Sequence, residues 1–300
     1  MSIFRIILWR STLFLTLLSV FTNARNTSAE TTRISTIKLL HSWVHLPNVQ
    51  VWFELRDNQD RVVTHVQPQD VSVFLAGKPL TPLSLSPPLR SPDGIAYVML
   101  LDISASMRGL PFQHLKQSAI ALVRQLRPQD RLALVTFGND VSVVADFDDR
   151  THLLPRIQQL HANHRKTVLF LALRKAIKML KRTGETFPKR KAIVLISDGK
   201  DEGSNILLSD LLAQFPEMDA PILAIGYSTQ QATRRRYFPV LDRLAKISHG
   251  FFVSTSSSRQ ITSKVEVLLQ RMMQVYTFSG LCQHPFEFME RIVCRVKKQR

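Results

Sequence analysis

The sequence predicts an α/β protein: a doubly wound, mostly parallel sheet flanked by helices, preceded by a small all-β module. Three observations predict it. From Gly94 onward, short apolar runs alternate with amphipathic stretches of helical period, the signature of βα units. Those runs are apolar throughout, as strands of a parallel sheet are when helices cover both faces. Residues 30–90 instead show period-two alternation and turn signals.

In the β-module, Val49, Val51, Phe53 and Leu55 alternate with Gln50, Trp52 and Glu54, the pattern of a half-buried strand. Asp57-Asn58-Gln59-Asp60 marks a turn. Residues 61–66 and 71–75 read as further strands, with Ala76-Gly77-Lys78-Pro79 as a turn, and Pro82, Pro87, Pro88 and Pro92 punctuate a linker. In the second domain, residues 94–276, strands are expected at 96–101, 131–137, 141–147, 191–197, 221–227 and 251–254. Helices are expected at 111–126, 151–160, 168–181, 209–215, 239–248 and 260–276. The helix at 168 is the clearest: Leu169, Ala172, Leu173, Ala176, Ile177 and Leu180 form one face, and Arg174, Lys175, Lys178 and Lys181 the other. Residues 277–300 read as a basic C-terminal tail.

The chain has 300 residues, 45% of them hydrophobic, so it can build a packed core and global disorder is excluded. Lys and Arg number 40 against 23 Asp and Glu, a net charge of +17. That balance favours acidic partners and says little about fold. Arg5 precedes an apolar stretch, Ser11 to Phe21 is an h-region, and Thr22-Asn23-Ala24 supplies small residues at a cleavage site. Residues 1–24 are therefore a secretory signal peptide, or a signal anchor if uncleaved. The expected location is exported, periplasmic or secreted, with membrane anchoring through that segment as the alternative. Outside the cytoplasm, nucleic acid is not an expected partner. Asn26-Thr27-Ser28 fits a glycosylation sequon. Cys282 and Cys294 either form one local disulfide or remain free thiols.

In a doubly wound sheet, ligands sit beyond the carboxyl ends of the strands. Polar residues collect there in three places. The first strand runs into Asp102-Ile103-Ser104-Ala105-Ser106. The strand at 191–197 runs into Asp198-Gly199. The helix at 168 is entered through Thr167. Together they offer two carboxylates and three hydroxyls, hard oxygen donors that suit Mg²⁺, Mn²⁺ or Ca²⁺ rather than Zn²⁺. Read singly, the serines are helix caps and Asp198-Gly199 is a turn.

The three segments in this order resemble the metal-ion-dependent adhesion site of von Willebrand factor type A domains, the integrin I-like domains. That site has an Asp-x-Ser-x-Ser loop, a Thr on a second loop and an Asp on a third; Asp102, Ser104, Ser106, Thr167 and Asp198 match. The resemblance covers residues 94–276 and extends to Met107, to Leu195-Ile196-Ser197-Asp198-Gly199 and to Ala224-Ile225-Gly226. It implies that Ser104 and Ser106 bind the ion through their hydroxyls and Thr167 directly or through water. Asp102 and Asp198 would act mostly through water, orienting the hydroxyls. The ion's open position would take an Asp or Glu carboxylate from a protein partner. The β-module is similar to short β-segments that precede A-type domains in secreted bacterial proteins.

The sequence departs from the family pattern at Arg165 and Lys166, where bacterial relatives have small glycines before the Thr. Two cations there oppose a metal ion by Coulomb repulsion. Arg108, Lys200 and Arg234-Arg235-Arg236 also fall in loops of the same rim, forming with Arg165 and Lys166 a basic collar that would steer an acidic segment. Lys189-Arg190-Lys191 should lie on the opposite rim. No glycine-rich dinucleotide or phosphate loop is present, and His114, His152, His161 and His164 are scattered. The expectation is a non-enzymatic, metal-dependent binding domain. The alternative is an assembly factor of an envelope complex in which the metal is weak or incidental.

Overall fold

The computed structural model describes residues 6–8, 34–75, 77–91, 93–148, 150–215, 218–283 and 292–296. The chain divides into two compact units. One is Met1–Pro92 with Arg271–Arg300, the other Asp93–Gln270.

The second unit holds a six-stranded sheet. Its strands are β7 (Ile95–Asp102), β8 (Arg131–Phe137), β9 (Val141–Asp148), β10 (Arg190–Ser197), β11 (Ile222–Tyr227) and β12 (Phe251–Thr255), in the order β12-β11-β10-β7-β8-β9. All neighbours are parallel except β9, which runs antiparallel to β8. This is the doubly wound α/β fold expected from the alternation. The helices are α1 (Leu110–Gln125), α2 (Arg150–Gln158), α3 (Leu169–Leu180), α4 (Leu208–Leu212), α5 (Gln231–Ile247) and α6 (Ile261–Met273). Every residue of β7 is buried, and Val98 and Leu100 join one core cluster with the apolar faces of α3 and α5. The intervening Met99 and Leu101 point to the other face and are equally buried. β7 lies between β10 and β8, where the connections leave in opposite directions, so Asp102 ends its strand at the topological switch point.

The first unit is built from two four-stranded antiparallel sheets. One has the order β2-β3-β13-β6, from β2 (Ile34–His45), β3 (Asn48–Asp57), β6 (Thr81–Ser86) and β13 (Tyr276–Leu281). The other has the order β1-β14-β4-β5, from β1 (Ile6–Leu8), β4 (Val71–Leu75), β5 (Lys78–Pro79) and β14 (Ile292–Val296). They share a core of Leu39, Val51, Phe53, Val73, Tyr276 and Phe278 among others.

Several expectations are corrected. Residues 61–66 are not a strand: only Val62 makes an isolated bridge, to Arg56. Asp57 instead folds the chain back, its Oδ1 accepting the N–H groups of Gln59 and Arg61. The proline-rich linker contains β6. Its Pro82 is tolerated because β6 is the edge strand of its sheet. The C-terminal segment is not simply a tail, since β13 and β14 are integral to the β unit. Cys282 and Cys294 are not joined in a disulfide, and burial pushes the Cys294 thiol up to about 12. Helix α5 begins eight residues before the expected start, with Pro239 inside it. The expected cleavage site and sequon lie outside the described residues; within the segment expected to be a leader, Ile6–Leu8 pairs with Ile292–Cys294.

Candidate metal centre

Three loops meet beyond β7 and β10. Asp102, the last residue of β7, is fully buried. Its Oδ1 accepts the Ser104 N–H at 2.9 Å and its Oδ2 accepts the Ser197 hydroxyl at 2.8 Å. The first bond turns the chain, the second ties it to β10, and the Ser104 and Ser106 hydroxyls lie side by side, 3.1 Å apart. Ser104 is buried and Ser106 exposed, which opens the cluster to solvent on one side.

The Thr167 loop is tied to both of the others. The His164 N–H donates to the Ile103 carbonyl at 3.2 Å, next to Asp102, and the Glu202 N–H, in the loop that follows Asp198, donates to the Thr167 carbonyl at 2.8 Å. Thr167 itself is 2% exposed. Asp198 follows the last residue of β10 and is buried; its Oδ1 accepts the Lys200 N–H at 3.1 Å, and its Oδ2 lies 3.6 Å from Lys200 Nζ. Gly199 has a φ of +83°, and an added Cβ would meet the Tyr237 carbonyl of α5 at 3.1 Å. Glycine is needed there both for the turn and for the close approach.

The electrostatics are those of a carboxylate pair removed from water. Burial pushes the Asp102 carboxyl up to about 6; the Asp198 charge pushes the same way, while hydrogen bonds from Ser104 and Ser197 hold it down. A divalent cation would relieve both the desolvation and the repulsion. The donor set is hydroxyl and carboxylate oxygen, and among the described residues no three His, Cys, Asp or Glu side chains are grouped so as to hold a metal ion. This set fits a hard ion that keeps some of its water, as Mg²⁺ does. Ser104, Ser106 and Thr167 would hold it, with Asp102 and Asp198 around it.

The basic collar is redrawn by the structure. Arg165 and Lys166 are exposed, and the Lys166 stem lies 3.8 Å from the point where a Cβ on Gly203 would sit. Arg108 Nη2 donates to the Asn163 carbonyl at 3.2 Å. Arg234, Arg235 and Arg236 are not in a loop but in the first two turns of α5. There Arg234 Nη1 donates to the Ser228 and Thr229 carbonyls, and the Arg236 guanidinium lies over the Tyr237 ring. Arg190, at the opposite end of β10, is buried, and Lys191 follows it.

Sequence reasoning missed two residues that organise this rim. Asp201 Oδ1 accepts the Phe170 N–H at 3.0 Å and the Ser204 hydroxyl at 2.6 Å, capping α3 from another loop. Asn139, between β8 and β9, accepts the N–H groups of Arg165 and Lys166. The bonds to Phe170, Arg165 and Lys166 span 31, 26 and 27 residues, so no local motif could signal them.

Residues 97–200 match the von Willebrand factor type A domain family. That stretch of the chain is similar to this family, whose members are in general interaction modules rather than enzymes. Proximal thread matrix protein 1 from the mussel byssus is 15% identical with a TM-score of 0.50. The match covers 66% of this chain and 51% of that one, so this chain spans about half its length. A structure of the same mussel protein with a zinc-occupied MIDAS motif matches at 18% identity and a TM-score of 0.48, over 63% and 47% of the two chains. A von Willebrand factor type A protein from Catenulispora acidiphila matches 92% of this chain and 68% of its own, at 13% identity and a TM-score of 0.49.

Proposed function

We propose that the A-type domain is a metal-dependent protein-binding module working outside the cytoplasm. It takes up Mg²⁺, or Mn²⁺ or Ca²⁺ in its place, and binds a partner that presents an Asp or Glu side chain. The observation that carries this reading is the buried Asp102 carboxylate, raised to about 6 beside Asp198 and set against the paired hydroxyls of Ser104 and Ser106. When bound, the ion supplies an electrophilic position for a partner carboxylate. Asp102 and Asp198 orient the hydroxyls and balance the ion's charge, and Ser106, on the exposed side, marks where the partner approaches. The Arg108, Arg165, Lys166, Lys200 and Arg234 to Arg236 side chains add long-range attraction for an acidic segment. Arg234 to Arg236 oppose the positive end of the α5 dipole, a cost that an anionic partner would offset. Among the described residues no helix is long and apolar enough to cross a membrane, so any anchoring is assigned to the leader.

The test is a melt of the full chain with Mg²⁺ and with chelator, followed by capture of partners from the native envelope under both conditions. Mg²⁺ should raise the melting temperature, Ser104→Ala should abolish that gain, and Asp102→Ala should lose the partners captured only with metal. An unchanged melt at millimolar Mg²⁺ would favour a scaffold role in an envelope assembly. For the collar, the association rate should fall with salt, and replacing Arg234 to Arg236 by Gln should flatten that dependence; an unchanged slope rejects it.

A further inference from the structure

The loop that delivers Thr167 begins with residues that should work against it. Arg165 and Lys166 are bulky and cationic, yet both of their backbone N–H groups are held in place. The reason lies on the β8–β9 connection. The Asn139 side-chain oxygen accepts two consecutive backbone N–H groups, from Arg165 at 3.0 Å and Lys166 at 2.9 Å. The Asn139 N–H in turn donates to His164 Nδ1 at 2.9 Å. His164 closes the linkage through its own N–H, bonded to the Ile103 carbonyl between Asp102 and Ser104. Gly138 makes room for the His164 ring, since a Cβ there would fall 2.5 Å from both His164 Cβ and Nδ1. With their backbone directed at Asn139, Arg165 and Lys166 keep their side chains exposed.

We infer that Asn139 is a positioning residue for the metal centre: through the Arg165 and Lys166 amides it sets the place of Thr167 relative to Ser104. This rests on the metal reading above. Its bonds run to the Arg165 and Lys166 amides, two and one residues before Thr167, so it acts through the loop. A two-pronged acceptor suits this task, because two bonds to successive amides fix the direction of the backbone as well as its distance. The effect on metal affinity should match that of other groups that orient ligands, about 10-fold.

The experiment measures Mg²⁺ affinity by calorimetry on the full chain for the wild type, Asn139→Ala, Asn139→Asp, Thr167→Ala and the Asn139→Ala/Thr167→Ala double variant. Amide exchange at Arg165 and Lys166 is followed in metal-free protein. Asn139→Ala should weaken Mg²⁺ about 10-fold and speed exchange at those two amides. Asn139→Asp, which keeps the accepting oxygen, should restore both. In the Thr167→Ala background, Asn139→Ala should bring no further loss, since it acts through Thr167. Wild-type Mg²⁺ affinity in Asn139→Ala, multiplying losses in the double variant, or an Asn139→Asp as weak as Asn139→Ala would each overturn the inference. If the wild type takes up no Mg²⁺, the metal reading itself falls, and the exchange data still report whether Asn139 holds the loop.

Discussion

Replacing Asp102 by Asn should stabilise the metal-free protein at neutral pH while removing its response to Mg²⁺. The Asp102 carboxyl is raised from 3.8 to about 6 in the fold, chiefly by burial. Keeping it ionised at pH 7.5 without a cation therefore costs about 3 kcal/mol. Asparagine has nearly the same shape and no charge. It has one accepting oxygen for the two donors that Asp102 satisfies, Ser104 N–H and the Ser197 hydroxyl, a loss of about 1 kcal/mol. The net expectation is a gain of about 2 kcal/mol at pH 7.5 in chelator. The sign follows from proton binding. Between pH 4 and 6 the folded state holds the Asp102 proton and the unfolded state has released it, so this group's contribution to stability falls as pH rises through that window. The advantage of Asp102→Asn should thus be absent at pH 4, grow to pH 6 and then stay level. In Mg²⁺ at one hundred times the dissociation constant the wild type should gain about 2.7 kcal/mol, and the variant should gain nothing. Denaturant titrations at pH 4.5 and 7.5, each with chelator and with Mg²⁺, give all the terms. An Asp102→Asn protein less stable than wild type by the same amount at both pH values, or one that keeps the Mg²⁺ gain, refutes the reasoning.

Gly138→Ala should destabilise the second unit by about 1–3 kcal/mol in a thermal melt, because its Cβ overlaps His164. It should also weaken Mg²⁺ binding. Asp201→Ala should cost about 1 kcal/mol in chemical denaturation, through the uncapped Phe170 N–H, with little effect on the melt's metal response. Lys38, on β2, has its ammonium lowered from 10.5 to about 7 by burial and then by Arg271 and Arg56. Between pH 7 and 10 the unfolded chain holds that proton and the folded one does not, so stability rises with pH there. Lys38→Met should stabilise by a few kcal/mol at pH 7 and progressively less toward pH 10, as read from melts across that range.

The residues of the candidate metal centre stand out in the sequence because Asp102, Thr167 and Asp198 sit where a strand or helix changes into a loop, and those changes are periodicity signals. Asp102 closes an unbroken apolar run, Asp198 precedes a glycine that the turn demands, and Thr167 opens the most strongly amphipathic helix. The start of α5 was hidden for the converse reason: Gln231 to Arg236 are polar at every position but Ala232, so no apolar stripe marks them, and Pro239 imitates a first-turn proline. β6 was masked by prolines that an edge strand accepts. β13 and β14 were invisible because their partners, β3, β6 and β4, are far away in the chain, and pairing over such a separation leaves no local pattern. Asn139 was missed on the same ground: its partners lie 26 and 27 residues on.

The placement of β13 governs how the protein comes into being. It lies between β3 and β6 in its sheet, yet it is synthesised after the whole of the A-type domain. Until the ribosome passes residue 281, β6 has no neighbour in that sheet and β3 has only β2. Folding in the order of synthesis would thus run from the inside outward: the second unit can complete its sheet first, and the β unit closes last, when its late strand arrives. A nascent chain stalled after α6 would expose the inner edges of β3 and β6, open for wrong pairing, which makes the final stretch of synthesis the step at which this protein most needs a chaperone.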